Sequence, residues 1–264
     1  MALGLTPAYA ALCAVQGALV LAPRRPRRLG RSWAVGLVVP LAALVVGVLA
    51  IRGTSDGANA LASLATVAAP LLAAACGPAL GWRLPWLTVP AAGGAYLLAW
   101  RADGLAADLA GVLLIGGACL TLAAVIGALA PPPAIAAGLV VLAAVDAALV
   151  FGNQVAPATD VLHAVTPPSA PLPGAATRPL PALQDATIRG ALMGWLDFLA
   201  PALLGVLLAD EPEARTAAAV ATFLAALAWS LLFAHFDTLP ATVPVLAGLA
   251  VWAAWPRPVA SRAW

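Results

Sequence analysis

Charge is what this chain has least of. Only 9% of its 264 residues are charged, whereas a soluble domain carries about 25%. That is too little to cover a water-exposed surface, so a soluble globular fold is excluded. The balance is 63% hydrophobic, with a mean hydropathy of +0.99. Those values predict an all-α polytopic membrane protein. Lysine is absent, and all 13 basic residues are arginine. With abundant alanine, glycine and proline, that suggests a GC-rich, bacterial genome and a multi-pass protein of the plasma membrane. A net charge of +2 is too small to argue for a nucleic-acid partner. Cysteine is scarce too. Cys13, Cys76 and Cys119 sit in or at the end of apolar runs without metal-ligand spacing and read as small apolar fillers. His163 and His235 fall in loops with no second ligand nearby, so neither a metal nor another cofactor is expected.

Long apolar runs are what the chain has instead. A crossing helix needs about 20 such residues, with a range of about 17–25. About nine runs qualify, near Gly4–Ala22, Ala34–Ile51, Ala58–Cys76, Leu84–Trp100, Leu109–Leu129, Ala134–Gly152, Thr187–Ala209, Ala214–Ala234 and Leu239–Trp255. A secretory signal carries its positive charge ahead of the apolar stretch. Here Arg24, Arg25, Arg27, Arg28 and Arg31 follow it, as they do after a retained first span. With the N-terminus outside and the C-terminus cytoplasmic, that cluster plus Arg83, Arg215, Arg257 and Arg262 puts nine arginines inside. Arg52, Arg101, Arg178 and Arg189 leave four outside, the asymmetry expected of cytoplasmic loops. Trp33, Trp86, Trp100 and Trp255 fall near span ends as interfacial anchors. The chain divides into helices one to five (1–133) and helices six to nine (134–264). An outer, proline-rich loop, Asn153–Ala186, joins the sixth to the seventh and is either a lid or a linker. Asp185 near its end is placed to cap the seventh helix.

Of 11 acidic residues, nine fall in the breaks between runs. The other two, Asp146 and Asp197, lie inside the sixth and seventh. A carboxylate in hydrocarbon costs roughly 2.5–3.5 kcal/mol on insertion scales, so such an acid is a functional candidate by default. Counted along ideal helices at 1.5 Å per residue, the depths of Asp146 and Asp197 differ by only about 5 Å. Antiparallel neighbours can therefore bring the two face to face. Two close carboxyls in a low-dielectric site share one proton. That is the arrangement of an aspartic protease. The carboxylate takes a proton from water as it attacks a peptide carbonyl, and its protonated partner stabilises the tetrahedral intermediate. Gly190 and Gly194 form a G-x-x-x-G just before Asp197, which lets another helix approach. Pro201 lies four residues after Asp197, where it removes the donor to the Asp197 carbonyl and loosens the helix.

The sixth run reads Val145-Asp146-Ala147, the seventh Gly194-Trp195-Leu196-Asp197-Phe198-Leu199-Ala200-Pro201, and the ninth opens Leu239-Pro240-Ala241-Thr242. In order, span number and spacing this resembles the GxGD intramembrane aspartyl proteases, the presenilin and signal peptide peptidase family. There the sixth span carries Tyr-Asp, the seventh Gly-x-Gly-Asp and the ninth Pro-Ala-Leu. The proline after Asp197 and the N-outside orientation look most like the signal peptide peptidase and archaeal branch. Val145, Leu196 and Thr242 stand where the family has Tyr, Gly and Leu, and Leu196 narrows the cleft. The resemblance implies a presenilin-like fold with Asp146 and Asp197 catalytic. It also implies that Gly194, Trp195, Leu196, Pro240, Ala241 and Thr242 position a substrate paired to the enzyme in strand-like fashion. The implied partners are the lipid bilayer and transmembrane peptide or protein substrates, including remnant signal peptides. Two other functions fit the same residues: a family member that binds membrane helices without cutting them, and a proton-coupled transporter that uses the aspartates as a relay.

Overall fold

Away from water a backbone N–H or C=O must be satisfied within the protein, so an apolar run between polar or proline-rich breaks folds as a helix. The computed structural model describes residues 6–23, 29–53, 55–154, 179–236 and 238–256. Among these, nine α-helices and one β-hairpin follow in the order α1 (Pro7–Leu21), α2 (Trp33–Gly53), α3 (Ser55–Ala79), α4 (Thr88–Arg101), α5 (Leu105–Leu129), α6 (Pro132–Phe151), β1 (Asp185–Ile188), β2 (Ala191–Gly194), α7 (Trp195–Leu207), α8 (Pro212–Ser230) and α9 (Val245–Ala254). Each of the nine apolar runs thus holds one helix. Among the described residues, four stretches are long and apolar enough to cross a membrane: Asp56–Ala79, Leu105–Leu129, Pro132–Phe151 and Pro212–Phe233. Val38, Val67, Leu71, Leu113 and Leu224 are exposed on the surface, an apolar exterior that suits lipid rather than water. Most of the outer loop (155–178), His163, and Arg24, Arg25, Arg27 and Arg28 lie outside the described residues.

α5 is apolar all round and is the most thoroughly buried of the long helices, as a helix without a polar face must be. It packs against α3, α4, α7 and β1. α1 lies antiparallel to α8. At one end Tyr9 stacks on Phe233, ring centroids 4.7 Å apart, and at the other the Arg215 guanidinium donates to the Pro23 carbonyl at 2.7 Å. α2 runs beside α6, where Gly138 sits so tightly on the Gly36 carbonyl that a Cβ there would collide with it.

Two of the expected runs are not helical throughout, and both departures lie at the aspartates. The seventh was expected to be a helix from Thr187. Instead β1 and β2 pair as an antiparallel hairpin, Asp185 opposite Gly194 and Ile188 opposite Ala191, and α7 begins only at Trp195. Arg189 and Gly190 make the turn with φ of 47° and 86°, the left-handed pair that a two-residue hairpin requires. Asp185 therefore opens a strand rather than capping a helix. Gly190 and Gly194 serve a turn and a helix start rather than a helix–helix contact. The ninth run also starts late. Pro240 precedes a turn over 241–244, and α9 has only ten residues. Irregular backbone away from water is tolerated where it lines a cavity or is buried in protein.

The hairpin is tethered to α5. Asp108 in the first turn of α5 accepts the Arg189 N–H at 2.8 Å. Asp108→Ala frees that N–H and should lower stability by about 1–2 kcal/mol, read as a lower Tm in detergent. An unchanged Tm would show the tether to be idle.

Candidate active site

Asp146 sits near the end of α6, 9% exposed. Thr242, in the turn before α9, donates its hydroxyl to Asp146 Oδ2 at 2.6 Å and its backbone N–H to the same oxygen at 3.3 Å. Asp197 sits in the first turn of α7. Its Oδ2 accepts the Gly194 N–H at 2.8 Å, the bond a side chain at the third helical position makes back to the cap residue. Among the described residues no donor reaches Oδ1 of either aspartate. Each carboxyl is thus oriented through one oxygen and keeps the other for a water or a ligand.

Both aspartates line one cavity of about 730 Å³. The cavity lies among α1, α2, α3, α6, α7, α8 and the hairpin. Its wall is mostly aliphatic and aromatic, with the acids and a few amides as polar points. An apolar wall with a few convergent polar groups is the usual composition of a pocket for an apolar ligand.

Of the other residues expected at the site, Gly194, Trp195, Leu196 and Ala241 reach the cavity wall. Trp195 is fixed there, its indole N–H donating to the Leu183 carbonyl at 2.8 Å. Leu196 lies beside Asp197 and fills space that a glycine would leave open. Pro240 and Thr242 do not face the cavity. The Pro240 carbonyl accepts the Trp229 indole N–H at 3.1 Å, and Thr242 is buried at 2% exposure against Asp146.

Gln16 of α1 was not anticipated. Its side chain is wholly buried, lines the cavity, and donates through Nε2 to the carbonyls of Asp197 at 3.0 Å and Ala241 at 3.4 Å. The available signal was that Gln16 is the only glutamine inside an apolar run. A charge in an apolar run is a strong signal, and a lone amide there carries a weaker version of it. Asp185 also reaches the cavity wall, from the start of β1.

No protein-family model matches the chain, and neither a characterised protein nor a solved structure shows significant similarity to it. Any functional reading therefore stands on the site itself.

Proposed function

We propose that this chain is an intramembrane aspartic endopeptidase of the presenilin and signal peptide peptidase type. It cleaves transmembrane segments or remnant signal peptides by water attack between Asp146 and Asp197. One observation carries the reading: two carboxyls from successive helices share one apolar cavity, each held through a single oxygen. In the reaction one carboxylate takes a proton from water as the oxygen adds to the scissile carbonyl. The other, protonated, hydrogen-bonds the developing oxyanion and then gives its proton to the departing amine. No metal enters this chemistry.

A helical substrate offers no free carbonyl, because its backbone groups are paired within it. β2 supports a solution. It ends at Gly194, one helical turn before Asp197, and among the described residues its second edge carries no strand. An unwound substrate can add there as a strand, replacing its lost helical bonds and passing its backbone to the carboxyls. On this reading all nine apolar segments lie in a bacterial plasma membrane, N-terminus outside and C-terminus cytoplasmic, and α7 and α9 are short because irregular backbone completes their crossing.

Leu196 supports a second reading, a protein that holds membrane helices without cutting them, since it occupies the wall beside Asp197. One experiment separates the two. Purified protein in proteoliposomes is given a transmembrane peptide with a quenched fluorophore pair. The endopeptidase reading expects cleavage by the native chain, and faster cleavage of bulky sequences by Leu196→Gly, by about tenfold where a side chain was excluded. Peptide capture with no product from either protein would leave the holding function. Proton flux dependent on Asp146 without peptide cleavage would point to a transporter.

A further inference from the structure

We propose that Gln16 is a positioning residue for the aspartate pair: one buried amide replaces the hydrogen bond that Pro201 denies to the Asp197 backbone and anchors the turn that holds Asp146. The inference rests on the endopeptidase reading for its catalytic consequence, although the bridging itself is a matter of geometry.

In an α-helix the carbonyl of residue 197 pairs with the N–H of residue 201. Here residue 201 is proline, which has no N–H, and Phe198, Leu199, Ala200 and Ala202 are all buried around it. The Asp197 carbonyl would be stranded away from water, a state that native proteins avoid. Gln16 Nε2 reaches it at 3.0 Å. The amide carries two hydrogens, and the same nitrogen lies 3.4 Å from the Ala241 carbonyl. The flipped amide is excluded, since it would set an oxygen against two carbonyl oxygens.

Ala241 is joined directly to Thr242, whose N–H and hydroxyl hold Asp146. From a single nitrogen the path runs to the backbone of Asp197 on one side. On the other side it reaches the carboxylate of Asp146 through one residue and its hydrogen bonds. The length of that amide sets the separation of the two backbone segments, and through them the placement of the two carboxyls. Gln16 Oε1 is buried and has no partner among the described residues. An amide half satisfied in an apolar interior is a poor choice for packing alone, so its donors are what the position requires.

The molecule contains a comparison. Pro78 in α3 likewise frees the Ala74 carbonyl, and the Thr88 hydroxyl from the next helix lies 2.6 Å from it. There a hydroxyl with one hydrogen is shared between the freed carbonyl and that of Pro85, 2.7 Å away. At Gln16 the repair also joins two catalytic segments.

The test is a four-protein cycle: native, Gln16→Met, Pro201→Ala and the double variant. Methionine matches the glutamine in length and removes both donors. Gln16→Met is expected to lower kcat on the transmembrane peptide by about ten- to hundredfold through misplacement of the pair, with KM within about twofold. Pro201→Ala restores the helical N–H. The double variant should therefore regain the Tm lost by Gln16→Met and recover kcat in part, because Ala241 stays unanchored. Gln16→Met with native kcat, or Tm and kcat changes that simply add, would overturn the strut and leave the endopeptidase reading standing. Coupling in Tm with no cleavage by any of the four proteins would sustain the strut and sink the endopeptidase.

Discussion

Asp146→Asn and Asp197→Asn are each expected to reduce kcat by about a thousandfold or more, with Tm close to native. Asparagine keeps the shape and an acceptor oxygen. In Asp197→Asn the side-chain oxygen can still receive the Gly194 N–H that Asp197 Oδ2 receives at 2.8 Å, so the start of α7 survives. In Asp146→Asn the Thr242 donors keep an acceptor in the same place. What each variant loses is the ability to take a proton from water or return one to the leaving amine. The choice of asparagine matters because Asp197 has a plain structural role at the third position of a helix. Were that its whole role, Asp197→Asn would cleave like the native chain. The double variant should be no slower than either single one, since two groups that pass one proton act as a unit. The measurement is turnover of the transmembrane peptide in proteoliposomes, with thermal unfolding recorded for each protein. Native rates from either single variant would remove the proposed mechanism.

Much of the frame was legible because hydropathy is a long-range, redundant signal. Nine apolar runs were expected and each holds a helix, and the ends of α5 and α6 fall within two residues of expectation at the C-terminal side. The pair of acids was legible for a related reason: a charge in an apolar run has few structural excuses. The sequence was misread where apolar content is the same for two conformations. Thr187 to Gly194 is apolar enough to continue a helix, yet it is too short a stretch for periodicity to separate strand from helix. Its deciding feature is local, the Arg189–Gly190 pair at positive φ, flanked by alternating buried and exposed residues. The ninth run was expected to be helical from Leu239, with Pro240 among the residues that position substrate. Pro240 instead precedes a turn that lets Thr242 face Asp146. Gln16 was missed because its partners are backbone carbonyls on α7 and before α9. Nothing near it in the sequence reports on contacts across more than 180 residues.

Thr242→Val should lower kcat by about ten- to hundredfold while leaving KM nearly unchanged. Valine is close to threonine in shape, so the turn over 241–244 keeps its packing, and the Thr242 N–H still reaches Asp146 at 3.3 Å. The hydroxyl bond at 2.6 Å is lost. A hydrogen bond to a charged group contributes about 1.5–3 kcal/mol, and each 1.36 kcal/mol is about tenfold in rate, which gives the expected range. Loss in kcat rather than KM follows from position: Thr242 is not among the residues that line the cavity, and on the proposed reading it acts through Asp146. Thr242→Ser keeps the hydroxyl and should retain most activity. Thr242→Leu installs the residue that the resembling family carries there, and it separates two accounts of the departure. If threonine merely tolerates a family position, leucine will equal or improve the native rate. If this chain has come to steady Asp146 through its own hydroxyl, leucine will be as slow as valine. We expect the second outcome, because the short hydroxyl bond is the closest polar contact that either aspartate makes to a described side chain, and leucine offers nothing in its place.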